Sequence, residues 1–259
     1  MCGMKIQPVR HLSVSSIQAW RECPLKFHGR REHWPREDGD PWRMAMETGI
    51  AVHSAISAHH RGDDAEVWLV KNWGEAFTNP PPSGQIDAAM TALRAYLDVA
   101  DVQPGDQPDR KFRYRVTARN VDILGYMDVC RTNSPEILEF KTTGYPKSWT
   151  QEKADLELQA TIYAMAYREL VNKSVTPKVT YFVMGINAEP IISSYTTTRS
   201  DNDFLAARQE IMDVHDAAGK AQSYVPKCAP SKCPHPSKCA AFGLGEKKER
   251  KATGAVWVG

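Results

Sequence analysis

"GYMDVCRTNSPEILEFKTT", residues 125–143, reads as two strands folded back on each other across the turn-like cluster "RTNSP". In "EILEFKTT" the strand period of two puts Glu139 and Lys141 on one face and Leu138 and Phe140 on the other. A hairpin of this length brings Asp128 close to Glu139. Two carboxylates and a lysine converging on one sheet would hold a divalent cation through oxygen ligands, while the lysine orients or activates an attacking water.

Alternation extends upstream through "FRYRVTARNVDILGYMDVC", from Phe112, and returns downstream in "KVTYFVMG" and "EPIISSYTTT". Helical patterns flank these strands. They are expected near Ile17 and Trp20, over Thr48–His60, over Glu66–Phe77 and around Ile86–Val99. A further helix is expected over 155–170, capped by Asp155, and another over Asp201–Ala218. Helices, then strands interrupted by one helix, then a helix predict a mixed α/β core with helical additions.

The chain has 259 residues, 42% hydrophobic and 25% charged, as in ordinary globular proteins, and its formal net charge of +2 points to no particular partner. No apolar run approaches a membrane span, and the N-terminus lacks the apolar core of a secretory signal, so no membrane association and a cytoplasmic location are expected. No G-x-x-x-x-G-K-[ST] motif occurs, which excludes a nucleotide-driven motor of the Walker type within this chain.

Gly125 and Asp128, followed by Glu139-Phe140-Lys141, resemble the motif of the PD-(D/E)xK nuclease superfamily. The resemblance is closest to its RecB-type branch, which includes AddB-like and CRISPR-adaptation nucleases. It implies a restriction-endonuclease-like core of mixed sheet and flanking helices. In that likeness Asp128 and Glu139 are the metal-binding acids, Lys141 is the catalytic lysine, and the Phe140 carbonyl completes the metal's shell. "GIAVH", ending at His53, resembles the branch's G-x-x-x-H helix, whose histidine also reaches the metal. "QATIY" matches its Q-x-x-x-Y element and places Gln159 and Tyr163 one helical turn apart, to contact DNA or brace the lysine.

The segment "CAPSKCPHPSKC" adds Cys228, Cys233 and Cys239. With Cys23, in "ECPLKF", they reproduce the layout of the branch's iron–sulfur members, which implies a 4Fe–4S cluster clasping the N- and C-terminal segments. The spacing, C-x4-C-x5-C, departs from the more usual C-x2-C-x5-C, and zinc with His235 as a substitute ligand is the rival reading.

The resemblance divides the chain into an N-terminal segment (1–47), a helical region (48–111), a nuclease core (112–219), a cluster-binding segment (220–243) and a tail (244–259). It implies an exonuclease using Mg²⁺ or Mn²⁺ on single-stranded or frayed DNA ends, in recombination, repair or phage DNA processing. The alternatives are a CRISPR-adaptation nuclease trimming DNA before integration and a non-catalytic DNA-binding relative. A separate helicase, recombinase or integrase would be the protein partner. Arg30 and Arg31, in "HGRREHWPR", are the candidate phosphate contacts, and Tyr145, Trp149 and Tyr163 the candidate base-stacking residues.

Overall fold

The computed structural model describes residues 9–31, 43–77, 81, 84–186 and 190–220. The chain divides into two compact units, Met1–Ser15 with Pro41–Lys220, and Ser16–Asp40 with Ala221–Gly259. In chain order the elements are β1 (His11–Leu12), α1 (Val14–Glu22), α2 (Pro24–Arg31), α3 (Arg43–Arg61), α4 (Ala65–Asn72) and α5 (Gln85–Leu97). There follow β2 (Asp106–Val116), β3 (Val121–Arg131), β4 (Glu136–Thr143), α6 (Gln151–Leu156), α7 (Leu158–Leu170), β5 (Lys178–Gly185), β6 (Ile192–Thr197) and α8 (Asp201–Ala218).

In the larger unit the strands form one six-stranded sheet of order β1-β3-β4-β5-β6, with β2 also paired to β3. The β2–β3 and β3–β4 pairs are antiparallel, and β4–β5 is parallel. Two helical layers cover the sheet. Val52 and Ile56 of α3, Leu69 of α4 and Leu93 and Tyr96 of α5 pack against Leu138, Phe140 and Met184. On the opposite face α7 packs Tyr163 edge-on against Phe112, with ring centroids 5.5 Å apart. The expected mixed α/β core, a central sheet flanked by helices, is thus present.

A buried polar network ties the first helical layer to the sheet. His60 Nδ1 donates to Asp106 (2.8 Å), and Tyr96 Oη donates to His60 Nε2 (2.6 Å). Burial lowers the His60 pKa against the pull of Asp106, so the imidazole is neutral and this tautomer satisfies both nitrogens. Arg131 donates from Nε to Asp106 (3.2 Å) and from Nη1 to Glu136 (2.8 Å). The ring of Tyr96 stands edge-on to Phe140 at 4.9 Å.

Among the boundaries that differ from the sequence reading, three have a visible physical reason. β2 begins at Asp106 and contains Pro108. That is tolerated because, among the described residues, β2 pairs only with β3 and so lies at the sheet edge. α3 begins five residues earlier than expected, at Arg43, where Arg43 pairs with Glu47 one turn on (3.2 Å). The helix expected over 155–170 is two helices broken at Glu157, the first capped by Thr150 rather than Asp155. The break is held by the buried Arg199, which donates to the carbonyls of Ala154 and Glu157 (3.0 Å each) and to Thr161 Oγ1 (2.8 Å).

The four-cysteine cluster is a correction. Among the described residues there is no group of three or more His, Cys, Asp or Glu side chains that could hold a metal ion. Cys23 and Cys130 are both buried and free. Cys23 is 1% exposed, with its amide bonded to Ala19 O at 2.8 Å in helical fashion, and serves as a small apolar core residue of the second unit. Cys228, Cys233, Cys239 and His235 lie outside the described residues. The fold class is therefore a mixed α/β sheet with flanking helices, and among the described residues no metal cluster is found. A layout of cysteines along a chain does not by itself make their sulfurs converge.

The glycine of the G-x-x-D stretch has a steric reason. A Cβ on Gly125 would stand 2.7 Å from Cε1 and Cζ of Phe112, its cross-strand partner. Because Phe112 also braces Tyr163, Gly125→Ala should cost about 1–3 kcal/mol in urea denaturation. Shrinking the ring with Phe112→Leu in the same chain should recover part of that loss.

Candidate active site

The hairpin of β3 and β4 is paired at Arg131↔Glu136, Cys130↔Ile137 and Val129↔Leu138, and pairs no further. Past this point the strands part, and the next ladder bond is replaced by a side chain. The Phe140 amide donates to Asp128 Oδ2 at 2.8 Å. A strand residue sends its N–H and C=O to the same edge, so the Phe140 carbonyl opens onto the same gap.

Glu139 and Lys141 project from β4 toward α7, and Gln159, in the first turn of α7, meets both. Lys141 Nζ donates to Glu139 Oε1 (2.8 Å) and to Gln159 Oε1 (2.7 Å). Gln159 Nε2 donates to Glu139 Oε1 (2.7 Å) and Tyr163 Oη (2.8 Å), and Tyr163 Oη donates to the Tyr126 carbonyl (2.6 Å). This chain of donors fixes the amide orientation, since a flipped Gln159 would turn donors toward the ammonium and an acceptor toward the carboxylate. On the other side of the gap, His53 Nδ1 of α3 lies 3.4 Å from Asp128 Oδ2.

Charge is concentrated here with incomplete compensation. Glu139 is 3% exposed, and its Oε2 is buried with no hydrogen-bond partner. Burial and then the adjacent Asp128 push the Glu139 pKa up to about 7, despite the ion pair with Lys141. Burial would also raise Asp128, but His53, the Phe140 N–H and Lys141 outweigh it and hold Asp128 below the usual range. Burial would lower His53 and Lys141; Asp128 outweighs it for His53, and Glu139 for Lys141, so both are raised. Glu157 adds to the Lys141 shift.

The sequence-predicted residues His53, Asp128, Glu139, Phe140, Lys141, Gln159 and Tyr163 are therefore all brought together. Of the candidate base-stacking residues, Tyr163 and Trp149 are buried. Tyr163 is 5% exposed and braces Gln159, while Trp149 is 8% exposed, packed on Tyr181 and capped by the Lys153 ammonium at 4.3 Å. Tyr145 remains 78% exposed. Arg30 and Arg31 belong to the second unit, where the Arg31 guanidinium lies over the Phe27 ring at 5.7 Å. Sequence reading missed Glu157 and the Tyr126 carbonyl, because neither belongs to a spaced motif.

His53, Asp128 and Glu139 do not form a closed three-ligand metal set, none being present among the described residues. Their donor chemistry nonetheless suits a hard cation. An unpartnered, buried carboxylate oxygen beside a second carboxylate is what such an ion satisfies.

The sequence profile of the PD-(D/E)XK nuclease superfamily matches residues 11–240. The chain belongs to this superfamily. No curated protein matches it. Among solved structures, a protein from Eubacterium rectale provisionally named an exonuclease has a TM-score of 0.52 at 14% identity, covering 84% of this chain and 87% of that one. The protein named SSO0001 has a TM-score of 0.49 at 11% identity, covering 92% and 89%, too loose a likeness to carry an argument. The first likeness shows the shared fold, one consistent with nucleic-acid hydrolysis. No described helix of this PD-(D/E)XK protein is long and apolar enough to cross a membrane.

The raised Glu139 has a thermodynamic signature. Its folded pKa of about 7 exceeds the ordinary 4.5, so between these values the folded state binds more protons than the unfolded state. Stability therefore falls as pH rises through that window. In chelator-treated protein, urea denaturation at about pH 5 and about pH 6.5 should show a loss of about 1–2 kcal/mol that Glu139→Gln abolishes. The His53 contribution, whose pKa is raised above 6.5, is lost only at higher pH.

Proposed function

We propose that the chain is a divalent-metal-dependent DNA exonuclease acting on single-stranded or frayed ends. The observation that carries this reading is the Glu139–Lys141–Gln159 triangle beside the Asp128–Phe140 bond, in a chain of the PD-(D/E)XK superfamily.

Asp128, Glu139, the Phe140 carbonyl and His53 are the residues that would hold a divalent cation, which when bound supplies charge neutralisation at the phosphate and a more acidic water. His53 would have to be neutral, with one ring nitrogen unprotonated, to reach the cation. Lys141 is kept as an ammonium by Glu139, so it acts by hydrogen bonding and charge and not as a base. Two of its three N–H groups are taken by Glu139 and Gln159, leaving one for a water or a phosphate oxygen. Gln159 holds that geometry and Tyr163 holds Gln159 against β3. Arg110 and Lys111, exposed on β2 next to Asp109, offer phosphate contacts near the opening.

End-labelled single-stranded and duplex DNA, incubated with Mg²⁺ or Mn²⁺, tests this reading. Degradation should appear only with the cation. Lys141→Ala and Asp128→Asn should each lower it by ~10²-fold or more while the fold, followed by circular dichroism, is kept. Gln159→Ala, removing only the brace, should lose less than Lys141→Ala. Full turnover in Lys141→Ala would remove the site assignment.

A further inference from the structure

α3 exposes large apolar side chains at the mouth of the candidate site. Met46 is 43% and Ile50 52% exposed, while Val52, Ala55 and Ile56 of the same helix supply the core. Spacing of four places Met46 and Ile50 on one stripe, and His53 follows within the next turn. Met46 and Ile50 line an open hollow of ≈ 630 Å³ whose other walls include His53, Phe140 and Lys141. Ile50 and Ser54 also border a smaller hollow of ≈ 220 Å³ against Trp68, so Ile50 forms the ridge between two recesses.

We propose that Met46 and Ile50 are a platform for an unpaired nucleobase next to the reacting phosphate, and that they select single strands over intact duplex. The inference rests on the nuclease reading above. A nucleic acid has one kind of apolar surface, the faces of its bases, and in a duplex those faces are stacked on each other. Away from the ends of a duplex, only an unpaired base can lay a face on an apolar floor. The hollow joins the two kinds of surface a nucleotide requires, since residues of the candidate site, His53 and Lys141, line it together with the apolar Met46 and Ile50. Its continuity with Lys141 argues for the substrate strand as occupant, because a protein segment seated there would bar the site. An aliphatic floor offers no hydrogen-bond readout, so the platform accepts any base.

The test compares wild type with Ile50→Ser and Met46→Ser on single-stranded oligonucleotides, intact or with one abasic tetrahydrofuran residue scanned from the end. Both side chains are half exposed, and melting temperatures check that the variants fold. Ile50→Ser should raise KM for intact single strands about tenfold with kcat little changed, the pattern of lost uniform binding. It should reduce the preference for single strands over duplex by the same factor. One abasic position should raise the wild-type KM to a similar extent and cause no further rise in Ile50→Ser. Unchanged KM in both variants, or losses that add, would overturn the platform while leaving the nuclease intact. If wild type cleaves no strand, and Lys141→Ala protein binds none by fluorescence anisotropy, the nuclease reading fails and the platform with it.

Discussion

The hydrogen bond from the Phe140 amide to the Asp128 carboxylate sets the geometry of everything around it. In a regular hairpin this amide would bond to the neighbouring strand, and β3 and β4 would stay zipped together. Here a side chain takes the place of a backbone carbonyl, so the strands can part without leaving a buried donor unsatisfied. The gap that results is where His53 approaches from α3 and Gln159 from α7. Phe140 is pinned on its other side by Tyr96, itself held by His60 and Asp106, so the fork is fixed from below as well.

The gap also concentrates unlike roles on near neighbours. Asp128 is kept ionised by an imidazole and an amide, while Glu139, equally acidic in ordinary surroundings, is driven toward neutrality by burial and by Asp128 itself. Carboxylates whose pKa values are pushed apart at one site are concentrated at functional sites, although structural ion-pair networks shift pKa values as well.

Much of this was legible in the residues. Period-two alternation placed Glu139 and Lys141 together and sent Leu138 and Phe140 to the core, and "KVTYFVMG" and Asp201–Ala218 came out with the boundaries expected. Spacing of four put Gln159 and Tyr163 on one helical face, though it left open whether they meet DNA or protein, and Tyr163 meets protein. What failed was long-range. No local signal announced that Arg199, more than forty residues downstream, breaks the helix at Glu157. The cysteine layout was read as convergence when Cys23 is a buried core thiol and no metal-holding group exists among the described residues.

β2 carries a further consequence, for solubility. Among the described residues it closes one side of the sheet, and a bare strand edge is a template on which another chain can add. Pro108 removes one donor from the strand, and Asp109, in the left-handed region with φ of 53°, breaks its regularity at the next residue. Beyond them come Arg110 and Lys111, both exposed, and Arg113 and Arg115, exposed as well but paired with Asp122. Two copies aligned edge to edge would bring the charges of Arg110 and Lys111 against those of the other copy. The exposed cations of this strand thereby discourage the sheet from growing into its own copies.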